Sequence, residues 1–202
     1  SRAQLAELNL PATDREISLV ASYHTDVISG GEITLSAKKM AEMLREIQGD
    51  VVHFRASEQH LVTMTCEKLI YKIPGIAADE FPRMAEIPYD MVFHPLPAAV
   101  LRELIRKTAF AMSPDESRKT LHAVYLEANR EETGNHRVTM VATDGHRLAA
   151  CQFDLAGPFF EFERGLIIPR KGVMEIRKLV EEEEGPVAVG VQKGMCAIQT
   201  DN

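Results

Sequence analysis

Residues 140–153 read MVATDGHRLAACQF, and the Ala142-Thr143-Asp144 inside this stretch repeats Ala12-Thr13-Asp14 at an offset of 130 residues. Asp144-Gly145 has the composition of a tight turn between hairpin strands. The residues after each copy, REISLVAS in the first and HRLAACQF in the second, read as strands. Moving outward, Ser36-Ala37-Lys38-Lys39 matches Pro169-Arg170-Lys171-Gly172 at an offset of 133, and each opens a helical pattern. LVTMT (61–65) then matches CAIQT (196–200) at an offset of 135. The order strand, loop, helix, strand, strand occurs twice, and loops absorb the small drift in offset. The sequence therefore predicts a duplicated unit.

Periodicity around these anchors predicts an α+β fold with antiparallel sheets. In the first unit, residues 15–22 alternate, with Ile17, Leu19 and Ala21 on one side. A helix over 37–48 sets Met40, Met43, Leu44 and Ile47 in one apolar stripe and ends at Gly49. Segments 51–56 and 60–73 read as strands around the polar turn SEQH, and the three prolines of 74–88 mark a connector. The pattern restarts with a short strand at 91–94 and a helix opened by Pro97, with Leu101, Leu104, Ile105 and Thr108 inward. After a break at SPDES (113–117), strands follow at 121–128 and 137–143 around a loop holding Gly134-Asn135, then at 146–153. A helix over 170–183 points Val173, Ile176 and Val180 inward, and strands 187–192 and 195–200 close on Lys193-Gly194. These readings divide the chain into domains at 1–88 and 89–202. The second unit has two helices where the first has one, and the sequence stops at Asn202 directly after a strand. The expectation is a piece of a longer protein, its first domain lacking a front half and its second lacking a last part.

With 45% apolar and 26% charged residues among 202, the chain has the mix of a globular protein and not of a low-complexity one. No apolar run approaches the roughly 18 residues of a membrane span. The start, SRAQLAELNLPATD, lacks the layout of a secretory signal. Cys66, Cys151 and Cys196 are odd in number and far apart, which argues against a disulfide framework and against zinc. They point to a reduced, cytoplasmic setting, and neither a metal nor a cofactor is expected. The net charge of −7 argues against a generic nucleic-acid binder unless the cations gather on one face.

The cations are gathered. Lys38 and Arg45 are seven residues apart on the first helix, as are Lys171 and Lys178 on the last, and each such pair lies within about 20° of one helical face. Lys39 and Arg170 stand beside them at the helix starts, and Arg102 and Arg106 form an i,i+4 pair on the remaining helix. Stripes of this kind, set side by side, attract phosphates without reading bases. The competing reading is a solvated surface closed by Glu42, Glu46, Glu103 and Glu175. Recurrence in register across the repeat favours the interface. The run Glu181–Glu184 reads as a solvated, fraying helix end.

MVATDGHRLAACQF (140–153) followed by IIPRKGVMEIRKLV (167–180) closely resembles the middle domain of the bacterial replicative sliding clamp family, the beta subunit of DNA polymerase III. AADEFPRM (77–84) is similar to the stretch before that family's first domain ends, and ATDREISLVAS with the Lys38-Lys39 helix to the second half of that domain. The resemblance covers residues 10–202. It implies a DNA clamp fold of repeated units, with antiparallel sheets outside and helices on the inner face. It also implies a homodimeric ring of head-to-tail protomers around duplex DNA. Such a ring is a non-catalytic processivity factor that tethers the replicative polymerase and is opened by an ATP-driven clamp loader. A peptide-binding pocket serves polymerases, loader and repair proteins. Position by position, the resemblance assigns to that pocket Leu121, Thr143, Gly145, His146, Arg147 and Leu148, about half of its wall. It assigns DNA contacts to Lys38 and to Lys119-Thr120, where this chain reads RKTL (118–121) and other members can carry aromatics or proline.

Two rival readings start from the same residues. An enzyme would draw on Asp144 and His146 as acid and base, with Ser113 or Cys151 as nucleophile. Neighbours on an extended strand point to opposite faces, and no nucleophile elbow, P-loop or metal motif accompanies them. A protein-binding scaffold without a DNA role would treat His146 as a turn residue and Met40, Met43 and Met64 as core filling. A scaffold gives no reason for cations in register across the repeat.

Overall fold

The computed structural model describes residues 4–14, 16–131, 135–156, 165–192 and 194–200. The expectations that involve Arg15, Gly134, Lys193 and Asn202 lie outside the described residues. The chain divides into two units, Ser1–Glu86 and Ile87–Asn202.

The first unit opens with a two-stranded antiparallel ribbon, β1 (Gln4–Thr13) and β2 (Ser18–Val27), in which Thr13 faces Ser18. Helix α1 (Ala37–Glu46) follows, then β3 (His53–Ala56), β4 (Leu61–Cys66) and β5 (Leu69–Pro74) in one antiparallel sheet of order β3-β4-β5. Alternation along β4 buries Val62, Met64 and Cys66, and Ile73 of β5 joins them. A single 3-10 turn, Ala78–Glu80, sits in the proline-rich connector.

Several expectations for this unit are corrected. Strand β2 starts at Ser18, after the turn, and Leu19 and Ala21 are exposed, because the ribbon has no described layer over either face. The segment 60–73 is two strands, broken at Glu67, whose left-handed φ of 51° turns the chain without a glycine. Helix α1 ends at Glu46, capped by Ile47 in an extended conformation, so Gly49 is not its terminator. Gly49 serves close packing: a Cβ there would lie 2.5 Å from Cys66 Sγ. The apolar stripe of α1 is only partly covered, with Met40, Met43 and Ile47 half-buried and Leu44 40% exposed.

The second unit contains β6 (Phe93–Pro97), α2 (Ala98–Thr108), β7 (Ala123–Arg130), β8 (His136–Thr143), β9 (Leu148–Leu155), β10 (Leu166–Pro169), α3 (Arg170–Glu181), β11 (Pro186–Gln192) and β12 (Met195–Gln199). They form two antiparallel sheets, β10-β7-β8-β9 and β12-β11-β6. Helices α2 and α3 pack side by side, α2 on β8 and β9, α3 on β7 and β10. One core joins Leu101, Leu104 and Ile105 of α2, Val173 and Val180 of α3, Val138 and Met140 of β8 and Val187 and Val189 of β11. Strand β10, whose Ile167 faces Tyr125, was not expected from the short run before Pro169.

The repeat is visible in the bonding of its turns. In the first, Thr13 Oγ1 donates to the Ile17 carbonyl at 2.9 Å, and Asp14 Oδ1 accepts from the N–H groups of Glu16 and Ile17, both at 3.0 Å. In the second, Thr143 Oγ1 donates to the Arg147 carbonyl at 2.6 Å, and Asp144 Oδ1 accepts from His146 and Arg147 at 2.9 and 3.0 Å. These side chains replace the backbone partners that a sharp turn leaves missing. From there β2, α1, β3 and β4 run in the same order as β9, α3, β11 and β12, and each last pair is antiparallel. In the second unit α2 lies against α3. Among the described residues the first unit has no second helix, which accounts for the thinner cover on α1.

Candidate nucleic-acid interface and partner-peptide ledge

Burial sets which way each helix points its cations. On α3, Val173 and Val180 are 1% and 0% exposed, and Lys171 and Lys178 leave the helix on the opposite side, both exposed. The 133-residue offset carries this arrangement onto α1: Met40 and Ile47 take the places of Val173 and Val180, and exposed Lys38 and Arg45 those of Lys171 and Lys178. Lys39 is exposed but one residue further round the helix. On α2 the inward arc is Ala98, Leu101, Leu104, Ile105 and Thr108, and Arg106 points away from it.

One expected DNA contact is engaged within the protein. Arg102 is half-buried, and its guanidinium donates to the Val180 carbonyl from Nε at 3.0 Å and from Nη2 at 2.8 Å, and to the Glu183 carbonyl at 2.6 Å. It closes the C-terminal end of α3, the end that favours a cation, and holds α2 and α3 together. Arg170 is half-buried at the start of α3, where its backbone amide donates to the His122 carbonyl at 2.9 Å and fixes the helix start without using the guanidinium. Arg106 is bound at 2.6 Å through Nε and through Nη2 to the Glu103 carboxylate, which Lys107 also reaches at 3.1 Å. The hydrogen bond from Arg106 first, and that from Lys107 second, hold the Glu103 carboxyl down at about 2.

The second site gathers around the β8–β9 turn. Gly145 has φ 93°, the left-handed region that glycine tolerates, and an added Cβ there would also crowd Arg118. The backbone N–H groups of His146 and Arg147, and then the Arg147 side chain, hold the Asp144 carboxyl below the usual range. Arg147 donates from Nε to Asp144 Oδ2 at 2.9 Å and from Nη2 to the Phe110 carbonyl at 2.8 Å, and lies 5.7 Å over the Phe110 ring. Arg118 Nη1 donates to the Asp144 carbonyl at 3.0 Å. The loop that ends at Leu121 is thereby tied to the turn. Leu148 is 66% exposed and Phe110 60%, with Leu121 half-buried and His146 exposed. The result is an apolar ledge rimmed by two guanidinium groups.

Sequence reasoning missed three of these residues. Phe110 follows α2 but falls off its apolar arc, which was a readable signal. Arg118 and the orienting role of Asp144 depend on long-range partners. Lys119 and Thr120 are exposed in the loop beside this ledge, on the turn that Leu121 N–H closes by donating to the Arg118 carbonyl at 2.8 Å. The acid and base of the enzyme reading are not paired here, since the Asp144 carboxylate is taken up by backbone N–H groups and Arg147. Ser113 is buried and accepts from the Asp115 N–H at 3.2 Å. Among the described residues no group of three or more His, Cys, Asp or Glu side chains could hold a metal ion. No helix among them is long and apolar enough to cross a membrane.

Comparison with known proteins identifies the family. The family model described as DNA polymerase III beta subunit, central domain, matches residues 95–202, and that described as DNA polymerase III beta subunit, N-terminal domain, matches residues 2–85. A Pseudomonas aeruginosa protein named Beta sliding clamp is 33% identical over 185 residues, 91% of this chain and 48% of that protein. The crystal structure of DNA polymerase III subunit beta from Pseudomonas aeruginosa aligns with a TM-score of 0.83 at 30% identity, over 98% of this chain and 53% of that one. The DNA polymerase sliding clamp from Caulobacter crescentus aligns with a TM-score of 0.86 at 27% identity, again over 98% and 53%. The chain spans about half the length of the curated relatives it matches. With both units matched in order by models of one family, and with the fold of its solved members, the chain belongs to the DNA polymerase III beta subunit family.

Proposed function

We propose that this chain is part of a replicative sliding clamp, a ring that encircles duplex DNA and acts as a processivity factor for the replicative polymerase. On this reading residues 1–88 are the later part of the first clamp domain with its connector, and residues 89–202 are most of the middle domain. Two full-length protomers close head to tail in the cytoplasm, a clamp loader opens the ring, and the protein itself catalyses nothing and needs no cofactor. The outward faces of α1, α2 and α3 meet the DNA through Lys38, Arg45, Arg106, Arg170, Lys171 and Lys178, and Lys39, Lys119 and Thr120 are further candidate contacts. Leu121, Thr143, Gly145, His146, Arg147 and Leu148 form about half of the pocket that takes the clamp-binding peptides of the polymerase catalytic subunit, the loader and other DNA-processing proteins.

The observation that carries this reading is the equivalence of Lys38 and Arg45 with Lys171 and Lys178. Both pairs point away from buried or half-buried apolar stripes at the same repeat offset of 133. Diffuse phosphate contacts of this kind bind any sequence and let the protein move along it. The test loads the full-length protein on nicked circular duplex and then linearises the DNA. A clamp stays on the circle and runs off the linear form. Equal retention on both would refute encirclement.

A further inference from the structure

The three helices share one more feature. Each carries a glutamate three residues before its outward cation: Glu42 before Arg45 on α1, Glu103 before Arg106 on α2 and Glu175 before Lys178 on α3. In the second unit these pairs are formed. Arg106 binds the Glu103 carboxylate with two 2.6 Å hydrogen bonds, and Lys178 Nζ lies 2.9 Å from Glu175 Oε1. Glu103 also holds Lys107 at 3.1 Å. Both pairs lie on the sides of α2 and α3 turned away from the core. As stability devices, exposed pairs of this spacing contribute little. Their recurrence beside the cations of all three helices therefore asks for another reason.

A carboxylate in this position occupies the donors that a phosphate would use. Arg106 presents its fork to Glu103 in the bidentate geometry by which a guanidinium also grips a phosphate. A phosphate oxygen arriving at Arg106, Lys107 or Lys178 meets a donor already engaged and a like charge beside it.

We propose that Glu103 and Glu175, with Glu42 in the equivalent place on α1, are built-in competitors for the DNA phosphates: each holds a helix cation in an intramolecular pair that a phosphate must exchange with, so that the duplex is gripped loosely. This rests on the DNA reading above and adds the element that sets the strength of the grip. In a ring, topology supplies retention, and the contacts themselves must let go quickly. The glutamates keep the field attractive at long range, through the remaining cations, while weakening each contact at short range.

The experiment is fluorescence anisotropy of the 202-residue chain with a short labelled duplex over a salt series, comparing wild type with E103Q/E175Q. Glutamine keeps the length and the helix propensity of the side chain, so the fold is preserved. A pair of this type shifts its partners by a factor of roughly two. The double variant is expected to bind roughly two- to fivefold more tightly at low salt. Each cation that gains a phosphate adds about 0.9 to the slope of log affinity against log salt. With Arg106, Lys107 and Lys178 released, the slope should steepen by about 1 to 3 on the same constant. The control E7Q/E58Q makes the same change in net charge at exposed positions off the helices and should leave the slope unchanged. If wild type binds and E103Q/E175Q matches it in both affinity and slope, the glutamates do not compete. If the control tightens binding equally, net charge alone is responsible and the proposal is overturned. If wild type binds no duplex at low salt, there is no grip for the glutamates to weaken and the proposal is overturned, while the DNA reading stands or falls by retention of the full-length protein on circular duplex.

Discussion

Replacing Arg102 by alanine separates two roles that the sequence alone could not distinguish. Its guanidinium donates to the carbonyl of Val180 at 3.0 and 2.8 Å and to that of Glu183 at 2.6 Å, bridging α2 to the end of α3. A hydrogen bond from a charged donor contributes roughly 1.5–3 kcal/mol, and an acceptor left buried without a partner costs about 1–3 kcal/mol. The favourable meeting of a cation with a helix C-terminus adds about 0.3–1 kcal/mol near the surface. These contributions overlap, and Glu183 gains water when the arginine leaves, so R102A should destabilise the second unit by about 2–3 kcal/mol. With a urea dependence of about 1–2 kcal/mol per molar, its unfolding midpoint should fall by roughly 1–3 M. R102K, which keeps the charge but not the fork, should recover only part of the loss. The assay is urea unfolding followed by circular dichroism, with duplex binding measured on the same proteins. An unchanged midpoint, together with a salt slope of DNA binding reduced by about 0.9, would show that Arg102 is a phosphate contact and would refute the capping role.

Charge reversal of Lys38, Lys171 and Lys178 in the full-length protein should weaken retention on DNA equally for unrelated sequences, and the difference from wild type should shrink as salt rises. Retention assays on two duplexes over a salt series check this. L121A/L148A in the full-length protein should abolish binding of a polymerase-derived peptide by calorimetry while leaving the fold largely intact. Leu148 is exposed and Leu121 half-buried, and truncation at such positions usually changes stability little. Glu103 is held at about 2 against an ordinary 4.5, so whatever its pairing adds to stability is complete above the ordinary value and is lost as pH falls from 4.5 towards 2. The pair is exposed and screened, so E103Q and wild type should unfold at nearly the same temperature on both sides of that window, and a large gap that closes on acidification would contradict the minor structural role given to the pair.

How far the sequence could be read follows from how far apart the bonded partners lie along the chain. The Ala-Thr-Asp turns were legible because Thr143 and Asp144 bond within four residues of themselves, so the motif carries its whole structure with it. The stripes of α2 and α3 were legible for a similar reason, since helical spacing alone decides which residues share a face. The capping bonds of Arg102 were not legible because its partners, Val180 and Glu183, lie at the end of another helix 78 and 81 residues away. The joining of Phe110, Arg147, Arg118 and Asp144 spans 26 and 37 residues and leaves no periodic trace. The first unit was read less well than the second. Pro11 and the polar residues of β1 hide a strand, and the stripe of α1 has the right spacing without a helix beside it to complete its burial. Spacing shows which side is apolar, and only packing shows whether that side is covered.

In the proposed clamp the outward faces of the helices, and not the sheets, meet DNA. Nuclear magnetic resonance of the isotope-labelled chain, titrated with two duplexes of unrelated sequence, tests this most directly. Shifts should centre on Lys38 and Arg45 of α1, Arg106 of α2, and Lys171 and Lys178 of α3, the same for both duplexes and fading with salt. Shifts centred on the β7–β9 strands, or a pattern that differs between the two sequences, would contradict it.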